Sequence, residues 1–385
     1  MRVLVAPDSF TGTLTAPQAA RAVAAGWARH APADELDLCP LSDGGPGFVD
    51  VLAQALPDAR TELVTVSGPL GDPVPAQVLL APGPDGVLVG WVESAQACGL
   101  HLVPAGRRDP GRTTTAGVAG LLLAARAAGA RRIVVGLGGS GTNDAGAGLV
   151  GGLLAGLGVP APDRLMRGGE ALRGTGAAEL AGLPALREAW ADVEILPATD
   201  VDVPLLGFHG ASAGFAEQKG ATPEQAQRLE IALGDFAAAA CDAAGVPRAL
   251  ARDGGAGAAG GLGFGLLLLG GRRVAGAGAV LEAVGFRGRV EAADLVVTGE
   301  GTFDWQSLRG KVVSAVAATG LELGTPVVVV AGQVLVGRRE ALAIGVESAY
   351  PVADAPAEVA AALADPAGTL EARAERVART WSRTT

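Results

Sequence analysis

Lysine is scarce in this sequence: among 30 basic residues there are two lysines, Lys219 and Lys311, and the rest are arginines. Asparagine is scarcer still, with Asn143 as its single example. A chain this rich in alanine, glycine and arginine has a composition biased against both residue types. Residues that persist against such a bias need a chemical explanation, so we treat these three as candidate functional residues.

Cysteine and histidine are also few, at three each. The cysteines Cys39, Cys98 and Cys241 are far apart and odd in number, so we expect buried thiols and no disulfide framework or zinc site. No apolar run reaches the roughly 20 residues of a membrane span. The charged Asp8 comes too early for a signal peptide. We therefore expect a cytoplasmic protein.

Basic charge is not in excess, because the net charge is −10 and the pI is about 4.9. This balance disfavours nucleic acid and anionic membranes as partners, since both need a basic face. A small anionic substrate needs only a local positive pocket, so it is compatible with a negative net charge. Monomer and homodimer are both left open.

The order of predicted elements indicates an α/β protein with 385 residues, enough for two domains. Strand–loop–helix units at both chain ends predict parallel strands at 3–6, 36–41, 295–298, 327–330 and 346–350. Short strands between Pro/Gly turns predict an antiparallel meander at 63–66, 74–80 and 87–93, with further strands at 133–135 and 194–197. Helices are predicted at 16–30, 46–55, 114–128, 223–244 and 356–379.

The simplest fold for this order has two domains. Residues 1–64 plus 291–385 are predicted to form a flavodoxin-like, doubly wound parallel-sheet domain from both chain ends. Residues 65–290 form an inserted mixed-sheet α/β domain, with the active site in the cleft between the two. Ligands of such sheets bind at the carboxyl ends of the strands, and the polar residues predicted there are Asp8, Asp43, Glu300 and Gln333.

A glycine-rich turn, 136–146, follows the predicted strand 133–135. Backbone N–H groups in such a turn can bind phosphate oxygens. Gly136, Gly138 and Gly141 also match the dinucleotide pattern GxGxxG, which leaves an NAD(P)-dependent oxidoreductase as an alternative. That alternative needs an acid at a strand end about 20 residues on, and Asp163 has the spacing but no strand before it.

Three other segments carry candidate chemistry. Lys219 lies just before the predicted helix 223–244, where a cation makes sense if an anion binds beside it. The segment 254–263 holds six glycines in ten residues, which permits close backbone contact with a nucleotide. The loop 299–311 brings carboxylates that can hold Mg²⁺ close in sequence to Lys311, which can neutralise phosphoryl charge.

Seven motifs in order resemble the glycerate kinase type 1 family (D-glycerate kinase). They span about residues 3–335 and start at Ala6 (APDSFTGTLTA), Leu41 (LSDGGPG), Gly68 (GPLGDPV), Gly138 (GGSGTND), Gln218 (QKGA), Gly257 (GAAGG) and Thr298 (TGEG, continuing to Lys311). The resemblance implies transfer of the ATP γ-phosphoryl group to D-glycerate with Mg²⁺, in a two-domain α/β fold with an interdomain site. A non-catalytic relative that only binds these ligands stays a further alternative.

The chain departs from the family pattern at five positions. The family usually has lysine at Thr11, asparagine at Val203, serine at Cys98, an acid at Gly120 and glycine at Ala145. These departures bear on the choice of hydroxy acid.

We assign roles to the matching residues by their chemistry. The predicted catalytic residues are Asp200, Lys219, Asp304 and Lys311. The predicted substrate-binding residues are Asp8, Ser9, Asp43 and Gln306. The predicted ATP- and phosphate-binding residues are Gly138, Gly139, Ser140, Thr142, Asn143, Asp144, Gly257, Gly260 and Gly261. The predicted Mg²⁺ ligands are Asp43, Asp200, Glu300 and Asp304.

Overall fold

The structure, a computed structural model, describes residues 1–10 and 12–382. Thr11, one of the departures from the family pattern, lies outside the described residues. The chain divides into two compact units. The first unit comprises Met1–Asp43, Asp50–Leu56 and Ala275–Thr385, and the second comprises Gly44–Val49 and Pro57–Val274.

The described residues form strands and α-helices along the whole described chain. The strands are β1 (Arg2–Val5), β2 (Glu35–Leu38), β3 (Arg60–Ser67), β4 (Pro73–Pro82), β5 (Leu88–Glu93), β6 (Arg132–Gly136), β7 (Glu194–Ala198), β8 (Leu295–Thr298), β9 (Thr302–Phe303), β10 (Val327–Ala331), β11 (Gln333–Val334) and β12 (Val346–Pro351). The helices are α1 (Ala16–His30), α2 (Phe48–Ala55), α3 (Ala95–Cys98), α4 (Ala116–Ala127), α5 (Ala147–Gly156), α6 (Leu183–Ala189), α7 (Ala211–Phe215), α8 (Pro223–Ala244), α9 (Ala258–Leu268), α10 (Gly276–Ala283), α11 (Phe286–Glu291), α12 (Val312–Leu323), α13 (Arg338–Ala343), α14 (Pro356–Ala364) and α15 (Pro366–Trp381).

The first unit contains a five-stranded sheet in the order β12-β10-β8-β1-β2, and every neighbouring pair is parallel. Strands β8 and β10 are buried along their whole length, as expected for inner strands covered on both faces. Helix α1 begins at a capping box, in which Thr15 accepts from the Gln18 N–H. Its Trp27 ring is fully buried in the core beside α15.

The second unit contains a five-stranded sheet in the order β3-β4-β5-β6-β7. The pairs β3–β4 and β4–β5 are antiparallel, whereas β5–β6 and β6–β7 are parallel. Apolar side chains of α4, α5 and α8 join the sheet in one core. Because β5, β6 and β7 are parallel to one another, their carboxyl ends lie at one edge of the sheet.

These observations confirm an α/β fold with parallel and mixed sheets, including the antiparallel meander; β9 and β11 form a further, two-stranded parallel sheet. Helices 16–30 and 223–244 have the predicted ends. The predicted single helix 356–379 is wrong: Asp365 ends α14 and caps α15, whose first residue is Pro366.

The predicted domain division, 1–64 plus 291–385 and 65–290, stays a prediction. The compact units place β3 in the second unit and residues 275–290 in the first. Among the described helices, none is long and apolar enough to cross a membrane. The three cysteines are free and buried, as expected.

Candidate active site

Three carboxylates of the first unit, Asp8, Asp43 and Glu300, follow the ends of β1, β2 and β8, and we call them the acidic corner. Backbone hydrogen bonds hold the loops together: the Asp8 N–H donates to the Gly299 carbonyl at 2.8 Å, and the Leu41 N–H donates to the Pro7 carbonyl at 2.9 Å. The parallel order of the strands brings these loops to one edge of the sheet. The predicted clustering of these acids is therefore present within the first unit.

The acidic corner is electrostatically strained. Burial, followed by repulsion from Asp43, raises the pKa of Asp8 to about 8, although the Ser9 N–H donates to its Oδ1 at 2.6 Å. Burial also raises the pKa of Glu300 to about 7. Lys311 opposes both increases, so its ammonium lies close enough to act on both carboxyls. A cation entering this corner would relieve the repulsion.

The loop after β9 begins with a tight turn at Asp304. Its Oδ1 accepts from the N–H groups of Gln306, at 2.8 Å, and Ser307, at 3.4 Å. Gln306 is exposed, and Lys311 is half-buried directly before α12. The predicted residues Asp304, Gln306 and Lys311 thus share one loop with Glu300.

A magnesium ion fits the chemistry of this corner without a preformed cage. Within 1–10 and 12–382, no group of three or more His, Cys, Asp or Glu side chains is arranged to hold a metal ion. Mg²⁺ commonly uses only one or two carboxylates and takes its other ligands from substrate phosphates and water. The Glu300 Oε1 atom is buried and has no hydrogen-bond partner among the described residues, which suits such a ligand.

Lys219, in the second unit, lies beneath the glycine turn 136–146. Its side chain is 2% exposed, and its Nζ donates to Ser140 Oγ at 3.0 Å and to the Thr142 carbonyl at 2.7 Å. Burial lowers the pKa of this ammonium to about 8. Lys219 therefore supports the turn from inside the protein.

The glycines of the turn pack against the segment 44–49, which we call the tether segment. A Cβ at Gly136 would lie 2.6 Å from the Gly44 carbonyl oxygen, one at Gly138 would lie 2.5 Å from Gly45 Cα, and one at Gly139 would lie 2.6 Å from Pro46 Cγ. These distances are shorter than real Cβ contacts. Glycine is thus required here for chain packing, whatever the turn binds.

Asp144 is fully buried, and its carboxylate organises the end of the turn. It accepts from the Thr115 N–H and hydroxyl, at 2.8 and 2.9 Å, and from the Gly146 and Gly148 N–H groups, at 3.1 and 3.3 Å. Burial raises the pKa of Asp144, although these hydrogen bonds oppose the increase. Asn143, also buried, donates to Ser212 Oγ at 3.0 Å.

The second glycine segment packs on the first. A Cβ at Gly260 would clash with the Thr142 carbonyl, and one at Gly261 would lie 2.6 Å from Ala145 Cα. Ala145 and Ala259 both have positive φ values, of 54° and 52°, which are unfavourable for alanine. The family's usual glycine at the Ala145 position would avoid this strain.

Asp200 lies two residues after the end of β7, and an arginine supports its loop. Arg273 donates to Asp202 Oδ1 at 2.7 Å and to the Thr199 carbonyl at 3.4 Å. The Val203 carbonyl accepts from Gly255 and Gly257, so this loop also touches the second glycine segment.

The remaining departures from the family pattern lie inside the second unit. Cys98 is buried beneath the turn, and burial raises the pKa of its thiol to about 12. Gly120 lies within α4 against Val66, where a Cβ would be 2.8 Å from Val66 Cγ1.

Sequence reasoning missed Glu93, which is 5% exposed at the end of β5. Its Oε2 accepts from the Gly47 N–H at 3.0 Å and the Val49 N–H at 3.4 Å. The signal was available, because the predicted strand 87–93 ends on this acid, and Asp8 and Asp43 likewise lie two residues beyond the ends of the predicted strands 3–6 and 36–41.

Comparison with known proteins identifies the family. The profile of the glycerate kinase family matches residues 3–382. The chain is 40% identical over 337 residues to the glycerate kinase of Bacillus subtilis (strain 168), covering 87% of this chain and 85% of that one. It is 37% identical over 339 residues to the glycerate 2-kinase of Escherichia coli (strain K12), covering 86% and 85%.

A solved structure from Salmonella typhimurium LT2, provisionally identified as glycerate kinase 2, is similar across the chain. It aligns with a TM-score of 0.77 at 34% identity and covers 99% of this chain and 98% of that one. The resemblance found in the sequence is thereby confirmed, and so is the expectation of a kinase. The chain belongs to the glycerate kinase family.

Proposed function

We propose that this protein transfers the γ-phosphoryl group of ATP to D-glycerate, with Mg²⁺ as cofactor. The observation that carries the proposal is the acidic corner beside Lys311, with carboxyl pKa values raised toward neutrality. Phosphoryl transfer needs mainly positioning and charge stabilisation, and these groups supply both.

In this proposal the first unit activates the acceptor. Asp8, assisted by Ser9, orients the hydroxy acid and accepts the proton of the attacking hydroxyl. Lys311 neutralises charge that develops on the transferred group. Asp43 and Glu300 hold Mg²⁺, with Asp200 and Asp304 as further predicted ligands. Bound Mg²⁺ supplies charge neutralisation of the phosphates.

The second unit, in this proposal, binds the phosphates through backbone N–H groups of the glycine turn. Lys219 and Asp144 act as positioning residues, which their burial and internal hydrogen bonds support. The placement of the site in a cleft between the domains follows from the family resemblance and stays a prediction.

The finer descriptions of the molecule are also proposals. A flavodoxin-like first domain is supported by the strand order, which reads 2-1-3-4-5 when the strands of this sheet are numbered along the chain. Cytoplasmic location, a monomer or homodimer, and the absence of a nucleic-acid partner stay predictions.

The position of phosphorylation is proposed to be the 2-hydroxyl. Support comes from the Escherichia coli relative, which is named glycerate 2-kinase. The oxidoreductase alternative is less favoured, because the chain belongs to the glycerate kinase family.

The test is a coupled ADP-release assay of the purified protein over a panel of small hydroxy acids, with the product identified by NMR. We expect D-glycerate to give the highest kcat/KM and 2-phosphoglycerate as the product. ATP- or glycerate-induced thermal stabilisation without product would favour the non-catalytic alternative. Fluorescence enhancement of NADH would favour the oxidoreductase.

A further inference from the structure

Glu93 is a buried carboxylate for which the proposed chemistry has no use. It ends β5, and its Oε2 accepts from the Gly47 and Val49 N–H groups of the tether segment. A buried carboxylate is unfavourable unless hydrogen bonds compensate it. Its bonds to a separate chain segment therefore indicate a task beyond packing of the strand.

A second side chain of β5 holds the same segment. Phe48 is fully buried and meets the Trp91 ring edge-on, with the centroids 5.8 Å apart and the planes at 61°. Trp91 and Glu93 are two residues apart and so point to the same face of β5. One face of the strand therefore holds the tether segment through both its backbone and its apolar ring.

The tether segment in turn contacts the glycine turn. Gly44, Gly45 and Pro46 occupy the space that side chains at Gly136, Gly138 and Gly139 would need. The segment also begins directly after Asp43 of the acidic corner. A shift of the tether segment would therefore release one side of the glycine turn.

We propose that Glu93 is a positioning residue that holds the tether segment against the glycine turn and so keeps the turn in its phosphate-binding geometry. The kinetic part of this inference rests on the proposed function. The structural part does not, because it concerns only contacts within the second unit.

The structural part is tested by hydrogen exchange of the ligand-free protein with mass spectrometry. In Glu93→Ala, a peptide covering residues 44–55 should exchange faster, because Gly47 and Val49 lose their acceptor. A peptide covering β6 should exchange as in the wild type. Unchanged protection of residues 44–55 in folded Glu93→Ala would overturn the inference, whether or not the protein phosphorylates glycerate.

The kinetic part compares Glu93→Ala with Glu93→Gln, whose amide oxygen can still accept from the two N–H groups. A misplacement of about 1 Å can lower turnover by about 100-fold, so we expect a loss of that order in kcat/KM for ATP in Glu93→Ala. KM for ATP should rise, KM for glycerate should change much less, and Glu93→Gln should recover most of the activity. A merely structural defect would reduce the folded fraction and leave both KM values unchanged.

The matched control is Glu194→Ala, which removes a glutamate from the opposite end of the same sheet. Its carboxylate pairs with Arg132 at the surface, so wild-type kinetics are expected. Equal losses in Glu93→Ala and Glu194→Ala would contradict a specific role for Glu93. A wild type that is inactive on glycerate, with the exchange result as expected, would refute the proposed function and leave the positioning role intact.

Discussion

Lys219 provides the sharpest prediction, because the chain has only two lysines and each can be observed alone. Lowering a lysine pKa from 10.5 to about 8 disfavours its charged form by about 3 kcal/mol, at about 1.4 kcal/mol for each pKa unit. The cause is burial at 2% exposure, offset in part by the electrostatic effect of the nearby Cys98 and Asp144 side chains. We predict that Lys219 titrates near pH 8.

The assay is NMR of protein labelled with ¹³C at the lysine Cε, which gives two signals. The signal that disappears in Lys219→Met is that of Lys219, and its chemical shift is followed from pH 6 to 11. The Cys98 thiol should not interfere, since burial raises its pKa to about 12. A Lys219 signal that titrates near 10.5 would refute the burial argument.

The same shift predicts the pH dependence of stability. Between pH 8 and 10.5 the unfolded chain binds a proton that folded Lys219 has released, so the free energy of unfolding rises with pH in this window. Below pH 8 both states are protonated and the full penalty is present. In Lys219→Met the free energy of unfolding should not rise between pH 8 and 10.5. At pH 7 it should be within about 2 kcal/mol of the wild-type value, because removing the buried charge offsets the loss of the hydrogen bond to the Thr142 carbonyl.

Three further predictions concern other residues. Lys311→Ala should lower kcat by about 100-fold or more. Arg309→Ala, which removes an exposed cation of the same loop, should leave kcat unchanged. Equal effects of the two variants in the coupled assay would exclude a contact of Lys311 with the transferred group. Ala259→Gly should raise the free energy of unfolding by about 1 kcal/mol, because it relieves a positive φ. Ala258→Gly, where φ is not positive, should lower the free energy of unfolding by a similar amount. Denaturant unfolding that gives both changes the same sign would contradict this prediction. Asp144→Asn should lower the free energy of unfolding by about 3 kcal/mol, because an amide replaces a buried carboxylate that accepts four hydrogen bonds. An unchanged thermal midpoint would show that these hydrogen bonds contribute little to stability.

Much of the fold was predictable because its signals are local. The Thr15 cap, the alternation of strands and glycine turns, and the Pro/Gly turns of the meander each act over a few residues. The break at Asp365–Pro366 was equally local and was missed because the alanine-rich composition suggested one helix. The clustering of Asp8, Asp43 and Glu300 followed from the rule that parallel strands end at one sheet edge.

The packing roles of the glycines and of Lys219 were not predictable from the sequence. A glycine that contacts a phosphate and a glycine that packs under another segment of the same chain look alike in the sequence. Only the position of the tether segment in the structure distinguishes the two roles. Lys219 precedes α8, which suggested a cation beside an anion bound at the helix start. Thr222 caps that helix instead, and the buried Lys219 ammonium donates to Ser140 and the Thr142 carbonyl. Such contacts join residues far apart in the chain, so no local pattern encodes them.

The central claim, that this chain moves the ATP γ-phosphoryl group to a glycerate hydroxyl, is tested most directly by following ³²P. Purified protein with [γ-³²P]ATP, Mg²⁺ and D-glycerate should give labelled phosphoglycerate in a single turnover, and Lys311→Ala should give it about 100-fold more slowly. Label that stays in ATP or appears only as inorganic phosphate, with folded wild-type protein, would contradict the claim.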